Sequence, residues 1–124
     1  MRRLTHIVVC YWSTDNPNFG MREIDEHYRM VGYLGTPYHF AILRDGTIQI
    51  GRNIKRAGVI DHPYASTSIN VVLVLPPDET GTGEAAKYTP EQRASGEALL
   101  NQLRALYPGI AMEVLGPTRD WGCQ

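Results

Sequence analysis

Residues 68–75 read SINVVLVL, an almost unbroken apolar run stopped by Pro76-Pro77. A strand that is apolar at consecutive positions has no side to show to water, so it belongs in the interior of a sheet covered on both faces. Residues 5–11, THIVVCY, have the same character: β-branched and aromatic types without strict alternation. Covering two such strands requires helices. Residues 21 to about 31, MREIDEHYRMV, place Ile24, Tyr28 and Val31 on one helical face and run into Gly32 and Gly35. At Thr89 the pattern TPEQ predicts a helix start: an N-cap hydroxyl, proline at the first helical position and a glutamine that completes a capping box. Leu99, Leu103 and Leu106 mark the buried face of that helix, which stops at Pro108-Gly109.

The remaining elements follow from turn chemistry. YHFAILRDGTIQIGR, residues 38–52, holds two β-rich runs around Asp45-Gly46, a dipeptide that tolerates positive φ, and predicts a hairpin over 38–51. IAMEVLG, residues 110–116, reads as a last strand and PTRDWGCQ as a terminal loop. The order β, α, ββ, β, α, β predicts an α/β domain with a mixed central sheet flanked by helices.

At 124 residues the chain is of a size to fold as one domain, 1–124, around one core. A formal net charge of -1 provides no global attraction to nucleic acid or anionic membrane, and neither is expected as a partner. No apolar stretch is long enough to span a bilayer, and MRRLTHIVVCYW lacks the core and cleavage site of a signal peptide, so the expected compartment is the cytoplasm. Cys10 and Cys123 are then expected to be reduced thiols.

PYHFAILRDGTIQIGR, preceded by REIDEHYRMVGYLG and followed by TSINVVLVL, resembles the zinc-dependent N-acetylmuramoyl-L-alanine amidases, on the fold shared by phage T7-type lysozymes and peptidoglycan recognition proteins. The likeness runs from Ile7 to about Gly122 and implies that fold. It also implies hydrolysis of the bond between the lactyl group of muramic acid and L-alanine, by a zinc on two His and one Cys or Asp. Such a metal lowers the pKa of its bound water and polarises the amide carbonyl.

The resemblance then assigns residues. IVVCYWST laid on the pattern IVIHHSAT puts Cys10 where the first zinc histidine stands. IAMEV laid on GHRDV puts Ala111 at the second histidine, and TRDWG puts Asp120 at the third ligand. Tyr38 matches the tyrosine that assists the zinc-bound water, while Thr118 and Arg119 replace the lysine or threonine of the last loop. Metal ligands, if zinc is retained, are Cys10 and Asp120, with Cys123 or His39 as substitutes. His39 is expected to be packed or hydrogen-bonded instead, and His6, His27 and His62 make no metal-spaced pair.

With Ala111 at a ligand position, no cofactor is expected, and Cys10 reads as a small buried hydrophobe. Around it the alignment gathers an aromatic and basic pocket: Cys10, Tyr11 and Trp12 on one wall, Tyr38 on the floor, His62 and Tyr64 on a loop, and Arg119 and Trp121 opposite. Aromatic faces stack on rings and arginine pairs with carboxylate or phosphate. The expected function is therefore a pseudoenzyme, not an enzyme: a protein that sequesters a small anionic or ring-containing ligand, a muropeptide or a nucleotide-derived host signal, in phage counter-defence. Recognition proteins that lack a zinc ligand and bind without hydrolysing provide the precedent. The alternative is an active endolysin-type zinc amidase with a rearranged metal site, and a protein partner at the surface is a third reading.

Overall fold

The structure is a computed structural model that describes residues 3–58, 64–76 and 88–114. Seven elements follow one another: β1 (His6–Ser13), α1 (Met21–Met30), β2 (Phe40–Ile42), β3 (Ile48–Ile50), β4 (Ser68–Leu75), α2 (Pro90–Leu106) and β5 (Ala111–Val114). The strands form one sheet in the order β3-β2-β4-β1-β5. β1 is parallel to both β4 and β5, β2 is parallel to β4, and only β3 runs antiparallel. This is the mixed sheet with flanking helices that the sequence predicts.

The two apolar runs occupy the interior of the sheet. β4 is buried along its whole length and pairs residue for residue with β1, from His6 opposite Ser68 to Ser13 opposite Leu75. From β1 the chain crosses by α1 toward β2, and from β4 by α2 to β5 at the other edge. Right-handed crossovers running in opposite directions place the two helices on opposite faces of the sheet.

Strand alternation then divides the core. Val8, Cys10, Ala41, Val72 and Val74 pack with Tyr38 against Met21, Ile24 and Tyr28 of α1. Ile7, Ile42, Ile69, Val71, Leu73 and Leu75 pack against Leu99 and Leu103 of α2. Leu106, expected on that buried face, lies in the last turn of α2 and is 69% exposed. Val31, likewise expected on the apolar face of α1, follows the helix end and is exposed.

Caps behave as the sequence predicts at α2. Gln92 N–H donates to Thr89 Oγ1 at 3.1 Å and Thr89 N–H donates to Gln92 Oε1 at 3.0 Å. The same Gln92 side chain, 1% exposed, donates to the carbonyls of Ile42 and Val74 and so ties the helix start to the sheet. At α1 the cap is shared: Gly20 N–H donates to Glu23, and Met21 N–H donates to the Gln49 side chain of β3.

The hairpin is shorter than 38–51 implies, with three residues in each strand. Its turn also differs from a two-residue Asp-Gly turn. Only Gly46 takes positive φ, at 90°, while Asp45 keeps negative φ and accepts the Thr47 N–H at 2.9 Å. No helix among the described residues is long and apolar enough to cross a membrane.

Candidate functional site

Cys10 lies on the α1 face of the sheet, on the same side of β1 as Val8, and is fully buried. Trp12, two residues on, shares that face and extends the site toward the strand end. Its indole stacks on Phe19 at 5.6 Å and 21°, meets His27 edge-on at 5.0 Å, and lies 6.1 Å from the Tyr28 ring. Tyr38 belongs to the same cluster and is also fully buried. Its phenol oxygen is 3.3 Å from that of Tyr28, with the rings edge-to-face at 6.0 Å.

Cys10, Trp12 and Tyr38 are thus brought together, and Tyr11 is separated from them. Odd and even residues of a strand face opposite ways, so Tyr11 points to the α2 side with Val9. There it lines a mainly apolar cavity of about 350 Å³ with Leu73, Leu100 and Tyr88. Burial pushes its phenol above the ordinary tyrosine value, and Tyr88 and Cys10 add to the shift. A single wall of Cys10, Tyr11 and Trp12 is therefore corrected to two residues on one face and one on the other.

Tyr64 is on the α1 side but at the other end of β1, stacked on His6 at 3.6 Å and 14°. His6 and Cys10 are four residues apart on one strand, about 13 Å at the usual rise. His62, Arg119, Asp120 and Trp121 lie outside the described residues, as do Thr118 and Cys123.

Register corrects the reading of Ala111. β5 pairs Ala111 with His6 and Val114 with Val9. Position 111 is therefore four residues short of Cys10 along the sheet, so an alanine there says nothing about a ligand beside Cys10. The inference from Ala111 to a lost metal has no geometric support.

His39 is spoken for at both ring nitrogens. The Asn70 backbone N–H donates to its Nδ1 at 2.9 Å, so Nε2 carries the proton and donates to the Arg56 carbonyl at 2.8 Å. It is a structural histidine and not a metal donor. A cysteine in thiolate form is a good zinc ligand, so the residue type at position 10 suits the metal. Among the described residues, however, no three His, Cys, Asp or Glu come together to hold a metal. Those residues do not make a zinc centre by themselves.

The sequence reading assigned Tyr28 to core packing and made no use of Asp25. Tyr28 reaches Tyr38 directly from α1, and Asp25 reaches it only through Thr36. Arg29 Nε donates to Asp25 Oδ2 at 2.8 Å and the Thr36 N–H to Oδ1 at 2.7 Å. The bond from Arg29 chiefly holds the Asp25 carboxyl below the usual range, with the Thr36 N–H adding to it against the opposing effect of burial. The Asp25/Tyr28 spacing of three, which puts both on one helix face, was the available signal. A polar hollow of about 520 Å³ lies beside this contact, lined by Arg22, Asp25, Thr36 and Gln49 among others.

No protein-family model matches the chain. Individual relatives do. The endolysin of Enterobacteria phage K11 is 39% identical over 101 residues, 82% of this chain and 66% of the relative. The endolysin of Escherichia phage T7 is 36% identical over 113 residues, 90% of this chain and 74% of the relative. Among solved structures, the endolysin N-acetylmuramoyl-L-alanine amidase LysCS from Clostridium intestinale superposes with a TM-score of 0.77 at 25% identity, covering 91% of this chain and 69% of that one. The bumblebee recognition protein PGRP-SA shares the fold, with a TM-score of 0.70 at 19% identity over 91% of this chain and 69% of that one.

The expectations of a ligand-sequestering pseudoenzyme and of a non-enzyme are corrected by these relatives. Relatives named endolysins, at 36–39% identity, cover 82–90% of the chain. The chain in turn spans 66–74% of their lengths. At 36–37% identity over 90% of this chain and 74% of the relatives, the chain belongs to the T7-type phage endolysin family, on the N-acetylmuramoyl-L-alanine amidase and peptidoglycan-recognition fold.

Proposed function

We propose that the chain is a peptidoglycan amidase of the endolysin type, hydrolysing the amide between the lactyl group of muramic acid and L-alanine. The observation that carries the reading is the identity to endolysins over most of the chain. The membership of Tyr38 and Cys10 in one buried cluster on the α1 face of the sheet supports it.

Amide hydrolysis needs an attacking water, a donor to the carbonyl oxygen as it gains charge, and a proton for the leaving amine. In this reading Tyr38 is the donor, since a phenol O–H held in a packed aromatic cluster loses little orientation entropy when it engages the reacting atoms. The substrate is a muropeptide-bearing strand that enters at the end of β1, where Trp12 is half-buried and Ser13 exposed. Because Cys10 and Tyr38 are buried, the reading requires the cleft to open there. A zinc ion bound here would supply an activated water and a polarised carbonyl, and Cys10 and Asp120 are the donors this chain would offer it.

The test is hydrolysis of purified peptidoglycan by the wild-type protein and by Tyr38→Phe, which keeps the ring and removes the hydroxyl. Loss of the O–H lowers kcat by about 100-fold if Tyr38 acts on the reacting atoms. Equal rates in the two proteins would remove Tyr38 from the chemistry. An inactive wild-type protein supplied with zinc would refute the amidase reading itself.

A further inference from the structure

Tyr38 is held at both ends by two residues of one helix. Asp25 and Tyr28 are three apart on α1 and so share a face. Asp25 accepts the Thr36 N–H at 2.7 Å, and Thr36 Oγ1 accepts the Tyr38 N–H at 3.2 Å, with Pro37 fixing φ between them. At the other end, the Tyr28 and Tyr38 hydroxyls meet at 3.3 Å, and the two residues are 5% and 0% exposed. Tyr28 is itself wedged edge-on by His27 at 5.4 Å and Tyr33 at 5.5 Å, so its ring has a fixed place.

A buried phenol has two ways to use its oxygen: it donates one hydrogen and accepts others. When the neighbouring hydroxyl donates to it, its own O–H is directed at a third group. We propose that Tyr28 is a positioning residue for Tyr38, donating to the Tyr38 oxygen so that the Tyr38 O–H is directed to the reacting group, with Asp25 fixing the backbone of the same tyrosine through Thr36. α1 then serves as a template that sets both the height and the hydrogen-bond polarity of one phenol. The proposal rests on the reading of Tyr38 as the residue that meets substrate. It adds a role for Tyr28 that neither the sequence likeness nor the relatives assign.

The substitution Tyr28→Phe removes one hydroxyl and keeps the ring packing. A positioning role gives a fall in kcat of about tenfold with KM within about twofold, because substrate binding is untouched and only the aim of the reacting phenol is lost. The double variant Tyr28→Phe/Tyr38→Phe should be no slower than Tyr38→Phe alone, since the two hydroxyls act as one unit. An activity-independent reading is the Cζ resonance of Tyr38 in protein labelled with 13C-tyrosine at neutral pH, which reports hydrogen bonding at the phenol. Displacement of that resonance in Tyr28→Phe supports the contact even where no substrate is turned over, and so separates this proposal from the amidase reading. A Tyr28→Phe protein with wild-type kcat, or with an unmoved Tyr38 resonance, overturns it.

Discussion

The Asn70 backbone N–H donates to His39 Nδ1 at 2.9 Å, joining the entry to β2 to the middle of β4 through an imidazole and not through the sheet ladder alone. The other ring nitrogen donates to Arg56 O, so one fully buried side chain satisfies backbone groups on two separate segments. Replacing His39 by leucine leaves the Asn70 N–H and the Arg56 carbonyl without this partner. A destabilisation of about 3 kcal/mol is expected, from roughly 1–3 kcal/mol per buried group left unsatisfied. Urea unfolding measures it, and metal content should not differ from wild type. A neutral effect on stability would mean that the imidazole bonds are not formed in solution.

Asp25 contributes to the acid limb of stability. Its carboxyl titrates below the ordinary range in the folded state, mainly because Arg29 donates to it. A depressed folded pKa means stability that is present above the unfolded value, roughly pH 4 for an aspartate, and lost as pH falls through the folded value. Asp25→Asn removes that dependence. Thermal melts of wild type and variant should therefore differ most at neutral pH and converge as the acid end is approached. A constant difference across pH would contradict the assignment.

Gly58 sits where the backbone of one segment meets the side chain of another. A Cβ there would strike Asn70 Nδ2 and approach Pro37 O at 2.7 Å. Gly58→Ala should therefore destabilise by about 2 kcal/mol, the usual scale of overpacking in a filled core. The change pushes on Pro37, the neighbour of Tyr38, so hydrolysis should weaken as well. Chemical denaturation together with an activity assay reads both, and unaltered values in the two would show that the loop yields freely.

Thr89 joins three devices at one point. It accepts the Gln92 N–H, its own N–H donates to Gln92, and its hydroxyl donates to Arg44 O at 2.6 Å. Thr89→Ala is expected to cost about 1–2 kcal/mol, the upper part of the N-cap range. Thr89→Ser, which keeps every one of these bonds, should cost much less, and equal losses would exclude the hydroxyl as the cause.

The legible part of the fold was the part set by local chemistry. SINVVLVL and HIVVCYW could only be interior strands, and TPEQ names its own helix start through side chains that bond within one turn. The turn at Asp45-Gly46 was misread in detail because the dipeptide fits more than one loop, and the choice is made by the Thr47 contact. Tyr11 was misplaced for a different reason: adjacency in sequence was taken as adjacency in space, although a strand sends neighbours to opposite faces. Ala111 was misplaced because a gap-free comparison cannot fix the register of a terminal strand, which here is set by its pairing with His6. Tyr28 was seen as core and not as a partner, since a hydroxyl contact between residues ten apart depends on how α1 packs on the sheet.

The amidase reading makes one chemical statement that nothing else in the fold predicts: cleavage must release a new amino terminus on L-alanine and no new reducing sugar. Wild-type protein supplied with zinc and incubated with purified peptidoglycan should therefore generate free N-terminal alanine in proportion to loss of turbidity. Cys10→Ala and Tyr38→Phe should fall at least about 100-fold behind. Clearing with reducing ends in place of alanine amino termini, or no cleavage by the wild-type protein at all, would contradict the account.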